Sequence, residues 1–145
     1  MISIDKEGRW YHKGAEMIHR EFIRLFYENM SVDPTGRYII EWAGERCFVE
    51  VEDTAFVVRG VTPEGIEGGR LQGFRLLLSD DTVEALQPET LSVGRGHVLY
   101  CQVKGRFPAR FSRPAYYQLA AHIEEEAGFY FLPLGGVRYR IGASS

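Results

Sequence analysis

Cysteine is nearly missing from this sequence: Cys47 and Cys101 are the only thiols among 145 residues. That excludes a disulfide-rich secreted scaffold and a four-cysteine zinc site, and it fits a reducing compartment, so a cytoplasmic location is expected. Both cysteines fall in alternating apolar patterns, which predicts buried thiols. An excess of one charge is lacking too. With 17 basic and 20 acidic residues the formal net charge is −3. A phosphate backbone demands a strong basic surplus, so no nucleic-acid partner is expected. No apolar run approaches the roughly 20 residues that span a bilayer, and no membrane partner is expected. Asp5, Lys6 and Glu7 arrive before an apolar stretch can form, which argues against a signal peptide.

Recognisable chemistry is equally sparse. There is no Gly-x-Ser-x-Gly elbow, and no Ser–His pairing at a telling spacing. His12, His19, His97 and His122 are scattered, without the spacing of a metal site. Gly94-Arg95-Gly96 opens like a dinucleotide loop, but position 99 is Leu and no strand–helix–strand pattern surrounds it. It reads as a hairpin connection. No metal and no cofactor are expected.

What is present is an ordinary folding composition, 45% hydrophobic and 26% charged, which rules out a disordered chain. The length suits a single domain over 1–145. The period of the apolar residues alternates between two and 3.6, which predicts an α+β fold of antiparallel sheets with two helices. A hairpin is predicted over 2–12, with Lys6-Glu7-Gly8 as its turn and a second turn at Lys13-Gly14. Phe22, Phe26 and Met30 fall four apart and predict a helix over 20–30, closed by Asp33-Pro34-Thr35-Gly36. Strands are expected at 38–42, through Cys47, Val49 and Val51, and at 56–61. Gly65, Gly68 and Gly69 mark 63–69 as a mobile loop before a strand at 71–78. A hairpin at 98–111 turns at Lys104-Gly105. Ser112 starts the second helix, with Pro114 in its first turn and Tyr116, Leu119, Ala120 and Ile123 as its buried stripe. Glu124, Glu125 and Glu126 oppose the helix dipole, so this terminus should fray before Gly128. Two short strands close the chain.

Two segments look alike. Lys13-Gly14, Ile18-His19-Arg20, a helix and Gly36-Arg37-Tyr38 match Lys104-Gly105, Phe111-Ser112-Arg113, a helix and Gly128-Phe129-Tyr130. This predicts two repeated hairpin–helix–strand motifs, at 9–42 and 98–132. Shared hairpin–helix grammar is the competing explanation. If the repeat is real, the two helices should pack in related ways on one sheet system.

Three segments carry a resemblance to a known family. They are Gly8-Arg9-Trp10-Tyr11-His12-Lys13-Gly14 with Ile18-His19-Arg20 and Leu25-Phe26, then Val51-Glu52-Asp53-Thr54-Ala55-Phe56-Val57, and Ala109-Arg110-Phe111-Ser112-Arg113-Pro114-Ala115-Tyr116-Tyr117. In that order they resemble the motifs of the bacterial family called domain of unknown function 1285. Glu41-Trp42 and Thr54-Ala55 depart from the family's Thr-Pro and Ala-Pro pairs. The resemblance implies a mixed fold built from repeated motifs and a link to ligand binding or signalling. It implies no catalytic residue.

The most site-like feature is a late gathering of Arg106, Arg110, Arg113, Arg138 and Arg140 among aromatic residues, a mix that suits planar or anionic ligands. Helix starts attract anions. A ligand site is therefore expected near Ser112, Arg113, Tyr116 and Tyr117, with Arg110 adding charge and Arg20 as its counterpart at the first helix. The competing account makes these arginines structural, pinned by Glu50, Glu52 or Asp53. The leading functional expectation is a non-catalytic binding or regulatory module for a small anionic ligand or a protein partner. An enzyme with a dispersed carboxylate site using Glu50 or Glu52, which fall ~7 Å apart on one strand face, and a structural homodimer remain as alternatives.

Overall fold

The computed structural model describes residues 1–143 and divides into two compact units, Met1–Ala55 and a second that begins at Phe56. The first unit is built from β1 (Ile2–Ile4), β2 (Trp10–His12), β3 (Ala15–Glu16), α1 (Arg20–Glu28), β4 (Met30–Val32), β5 (Tyr38–Trp42) and β6 (Glu45–Val51). Its six strands form one sheet in the order β3-β2-β1-β6-β5-β4. Only β1 and β6 run parallel, and the other neighbours are antiparallel. Helix α1 covers the sheet with Ile23 and Tyr27. Trp10, fully buried, meets Tyr27 edge-on at 4.9 Å, and the Tyr27 hydroxyl donates to the Ala55 carbonyl at 2.7 Å. The expected helix is shorter than the apolar spacing implied. Asn29 ends it, and Met30 turns its buried side chain into the sheet as the first residue of β4.

The second unit holds β7 (Phe56–Glu67), β8 (Arg70–Leu78), β9 (Val83–Ala85), β10 (Ser92–Val93), β11 (Leu99–Val103), β12 (Phe107–Phe111), α2 (Arg113–Ala120), β13 (Glu124–Glu126), β14 (Phe129–Leu134), β15 (Val137–Arg140) and β16 (Gly142–Ala143). Seven strands pair in the order β16-β10-β11-β12-β7-β8-β9, and β13-β14-β15 make a separate three-stranded sheet. Val57, Val58, Phe74, Leu76, Leu78, Leu99, Val103, Leu119 and Leu132 are buried as its core. The architecture is therefore α+β, with mostly antiparallel sheets and two helices.

Two segments differ from the sequence reading. The glycine-rich stretch 63–69 is not a loop. β7 continues to Glu67 and pairs with β8 around a turn of Gly68 and Gly69 only. Pro63 is tolerated there because β12 accompanies β7 only as far as Val58, which leaves the other edge of β7 without a strand among the described residues. The glutamate run is not a frayed helix end. α2 stops at Ala120, and Glu124–Glu126 pair with β14 as a strand.

The two matching segments have the same element order: hairpin, helix, hairpin. Their first turns share a left-handed pair, Lys13 and Gly14 at φ 51° and 80°, and Lys104 and Gly105 at φ 52° and 87°. A glycine second in each pair meets the geometry that a tight antiparallel turn requires. Sheet membership differs. The hairpin after α1 joins the main sheet of its unit, whereas the hairpin after α2 begins the separate sheet. Each helix belongs to its own unit rather than to one sheet system.

Candidate functional site

The junction from β12 to α2 is set by Ser112. Its backbone is extended (φ −62°, ψ 164°), and its Oγ accepts the Ala115 N–H at 3.3 Å. The Tyr116 N–H donates to the Ser112 carbonyl at 2.8 Å, closing the first turn. This is the N-cap that Ser-x-Pro predicts, and it occupies the Ser112 hydroxyl. Arg113, the first helical residue, is exposed. Its guanidinium carbon stands 5.5 Å from the Tyr116 ring centre and 5.7 Å from that of Tyr117. The two rings are 5.3 Å apart and nearly perpendicular. Among the described residues the Arg113 side chain has no carboxylate partner. Arg110 is half-buried on β12, opposite Tyr100 of β11 and Val57 of β7. Ser112, Arg113, Tyr116 and Tyr117 thus gather at one corner of the second unit. Arg20 lies in the first unit, where it opens α1 behind His19, a residue that caps with no side-chain hydrogen bond.

Tyr116 has a second role. With Leu99 of β11, Ile123, Tyr130 of β14 and Ile141 it lines a cleft of about 250 Å³ in the second unit. The lining is aliphatic and aromatic apart from His97 and Glu125. His97 belongs to the turn after β10 and adopts a left-handed backbone, φ 59°, next to Gly96 at φ 69°. The Gly94 N–H donates to the Val98 carbonyl at 2.8 Å and closes that turn, so Gly94-Arg95-Gly96 is a hairpin connection as its grammar implied. Lys13, Ala43 and Lys104 take the same conformation in tight turns, so the backbone at His97 follows from the turn. His97, Glu125 and Tyr130 come from three separate connections and strands, and no spacing in the sequence announced them.

The other candidates fall elsewhere. Glu50 and Glu52 are exposed in the first unit, and Glu52 accepts the Lys6 N–H at 3.2 Å. Cys47 is half-buried rather than buried. Cys101 is buried. Loss of water, with the negative charge of Glu84 adding to it, pushes its thiol up to about 12, far from the thiolate that nucleophilic chemistry needs. Among the described residues, no three His, Cys, Asp or Glu side chains converge as metal ligands. No helix among them is long and apolar enough to cross a membrane.

An α+β chain of two sheet-and-helix units has solved counterparts. The chain has the fold of a DUF1285 family protein from Silicibacter pomeroyi DSS-3: TM-score 0.78, 18% sequence identity, covering 97% of this chain and 78% of that one. A DUF1285 family protein from Shewanella baltica OS155 matches with TM-score 0.65 and 16% identity over 83% of this chain and 90% of that one. Both support the likeness to that family that the three sequence motifs carry. No family model matches the chain, and no curated protein does.

Proposed function

We propose that this chain is a binding module with a regulatory role in signalling, whose second unit takes up a small molecule with an apolar body and an anionic end. The observation that carries this reading is the double position of Tyr116. One ring forms a wall of the 250 Å³ cleft and also lies beside the guanidinium of Arg113. The apolar lining suits a compact hydrocarbon or aromatic body, near the lower end of small-molecule sites at roughly 300–1,000 Å³. The exposed Arg113 guanidinium, with no carboxylate partner among the described residues, suits a carboxylate. His97 and Glu125 supply the few fixed polar contacts that orient such a ligand. The two free cysteines, one half-buried and one buried, suit work in a reducing cytoplasm.

Phenylacetate is a probe of this chemistry, and phenylacetamide is its uncharged control. Phenylacetate should raise the melting temperature saturably, by a few degrees near a hundredfold excess over its dissociation constant. Phenylacetamide should do so less. Native mass spectrometry of freshly purified protein should show a co-purified small molecule. No response to phenylacetate, or an equal response to both probes, contradicts the reading.

A further inference from the structure

The second unit has another cleft, of about 500 Å³, with different chemistry. It lies across the turn between β14 and β15, where Gly135 and Gly136 take φ 58° and 85°. Arg70, His122 and Arg138 line it together with that turn. Arg70 lies against the turn so closely that a Cβ on Gly136 would sit 2.7 Å from its Nη1. The backbone favours glycine at position 136, and the absence of a side chain there leaves the space that the Arg70 guanidinium occupies. The Arg70 guanidinium has no hydrogen bond or ion pair among the described residues. Arg138 rests on the Phe131 ring at 4.2 Å and holds Glu126 through Nη2 at 2.9 Å. Its Nε stands 3.8 Å from Glu124, beyond hydrogen-bond distance, so that edge is open to another acceptor. The Gly135 N–H is taken by the Leu71 carbonyl at 2.9 Å, whereas the Gly136 N–H has no backbone acceptor among the described residues.

We propose that this cleft binds a small phosphorylated molecule, at a site distinct from the Tyr116 cleft, with which it shares only Ile123. Two guanidinium groups offer the forked donors that match phosphate oxygens. His122, set edge-on to Phe74 at 5.0 Å, adds a ring nitrogen. A turn without side chains lets an oxyanion come close to backbone. The cleft is much larger than a lone phosphate, and Leu71, Pro133 and Leu134 give its organic part an apolar bed. Glu124 also lines the cleft and is the one opposing charge; the ligand takes the Arg138 edge that Glu124 leaves unfilled.

The test is a titration of ¹⁵N-labelled protein with inorganic phosphate and with phenyl phosphate at constant ionic strength, with sodium chloride as control. The Gly135 and Gly136 amide signals should shift saturably, with phenyl phosphate binding more tightly than phosphate. Arg70→Gln, a change at an exposed residue, should weaken both by about tenfold or more. Tyr116→Ala should leave them unchanged. A response to chloride alone, shifts that centre on Leu99 and Tyr130, or an unchanged affinity in Arg70→Gln would overturn the proposal.

Discussion

Ser112 does its work within one turn of helix, and its effect should be correspondingly local. Its Oγ satisfies the Ala115 N–H, so Ser112→Ala should cost about 1 kcal/mol of stability, read by chemical denaturation. Arg113 differs in kind. An arginine pinned in the interior would cost several kcal/mol on removal. Arg113 is exposed and stacked, so Arg113→Ala should change stability by no more than about 0.5 kcal/mol while weakening phenylacetate binding. The two cysteines should separate cleanly. Burial holds Cys101 protonated, its thiol pushed up to about 12, whereas Cys47 is only half-buried. Iodoacetamide applied to native protein near pH 8 should modify Cys47 and spare Cys101, as peptide mass mapping would show. Ser112 was legible in the sequence because Ser-x-Pro before an apolar stripe has one local meaning. The exposure of Cys47 was not legible, because an alternating pattern fixes a strand's faces without fixing what covers each face.

Strands and helices were read well where a turn residue marked both ends. The strand Tyr38–Trp42 lies between Gly36 and the left-handed pair Ala43 and Gly44. The reading failed where one residue type had two uses. Glycines at 65, 68 and 69 implied a loop, yet Gly68 and Gly69 alone make the turn and Gly65 sits inside β7. The glutamates 124–126 are poor residues for a helix end. α2 indeed stops before them, and Arg138 across the small sheet holds Glu126 at 2.9 Å, with Glu124 on the same face of β13 at 3.8 Å. A charge match across strands that distant in sequence has no local signature. The open edge of β7 carries its own consequence. The Val61 N–H, without a strand beside it, is taken by Gln118 Oε1 of α2 at 2.7 Å. Gln118→Ala leaves that donor unpaired and should cost about 1–3 kcal/mol in chemical denaturation. A loss no larger than at an ordinary exposed site would show that the bond contributes nothing.

Across the whole molecule, each unit has a buried core and aspartates that tie its turns, Asp5 and Asp33 in the first unit and Asp80 in the second. Asp5 accepts the backbone N–H groups of Glu7 and Arg9, the Arg9 side chain and the Tyr11 hydroxyl. Asp80 accepts from Thr82 and pairs with Lys104 at 3.0 Å. Burial opposes ionisation of both Asp5 and Asp80, but these hydrogen bonds, with the Lys104 charge beside Asp80, outweigh it and hold both carboxyls below the ordinary carboxylate range. A carboxyl depressed by folding adds stability above its unfolded value, and that stability is lost as pH falls through the folded value. Stability from these two groups should therefore be constant from neutral pH to about pH 5 and decline below pH 4. Asp80→Asn should flatten that decline in denaturation curves collected between pH 2 and 5. The shared element order of the two matching segments was visible in sequence, because turns are local. The assignment of each hairpin to a sheet was not, because pairing partners are distant. The cleft was hidden for the same reason, since Leu99, Tyr116, Tyr130 and Ile141 meet only after the sheets form. Calorimetric titration of phenylacetate into wild-type protein, Tyr116→Ala and the cleft-filling Ala120→Leu tests the account most directly. The expected result is saturable binding to wild type and at least about a tenfold loss in both variants, the scale of one anchoring contact. Absence of binding to wild type, or equal affinity in all three proteins, would contradict it.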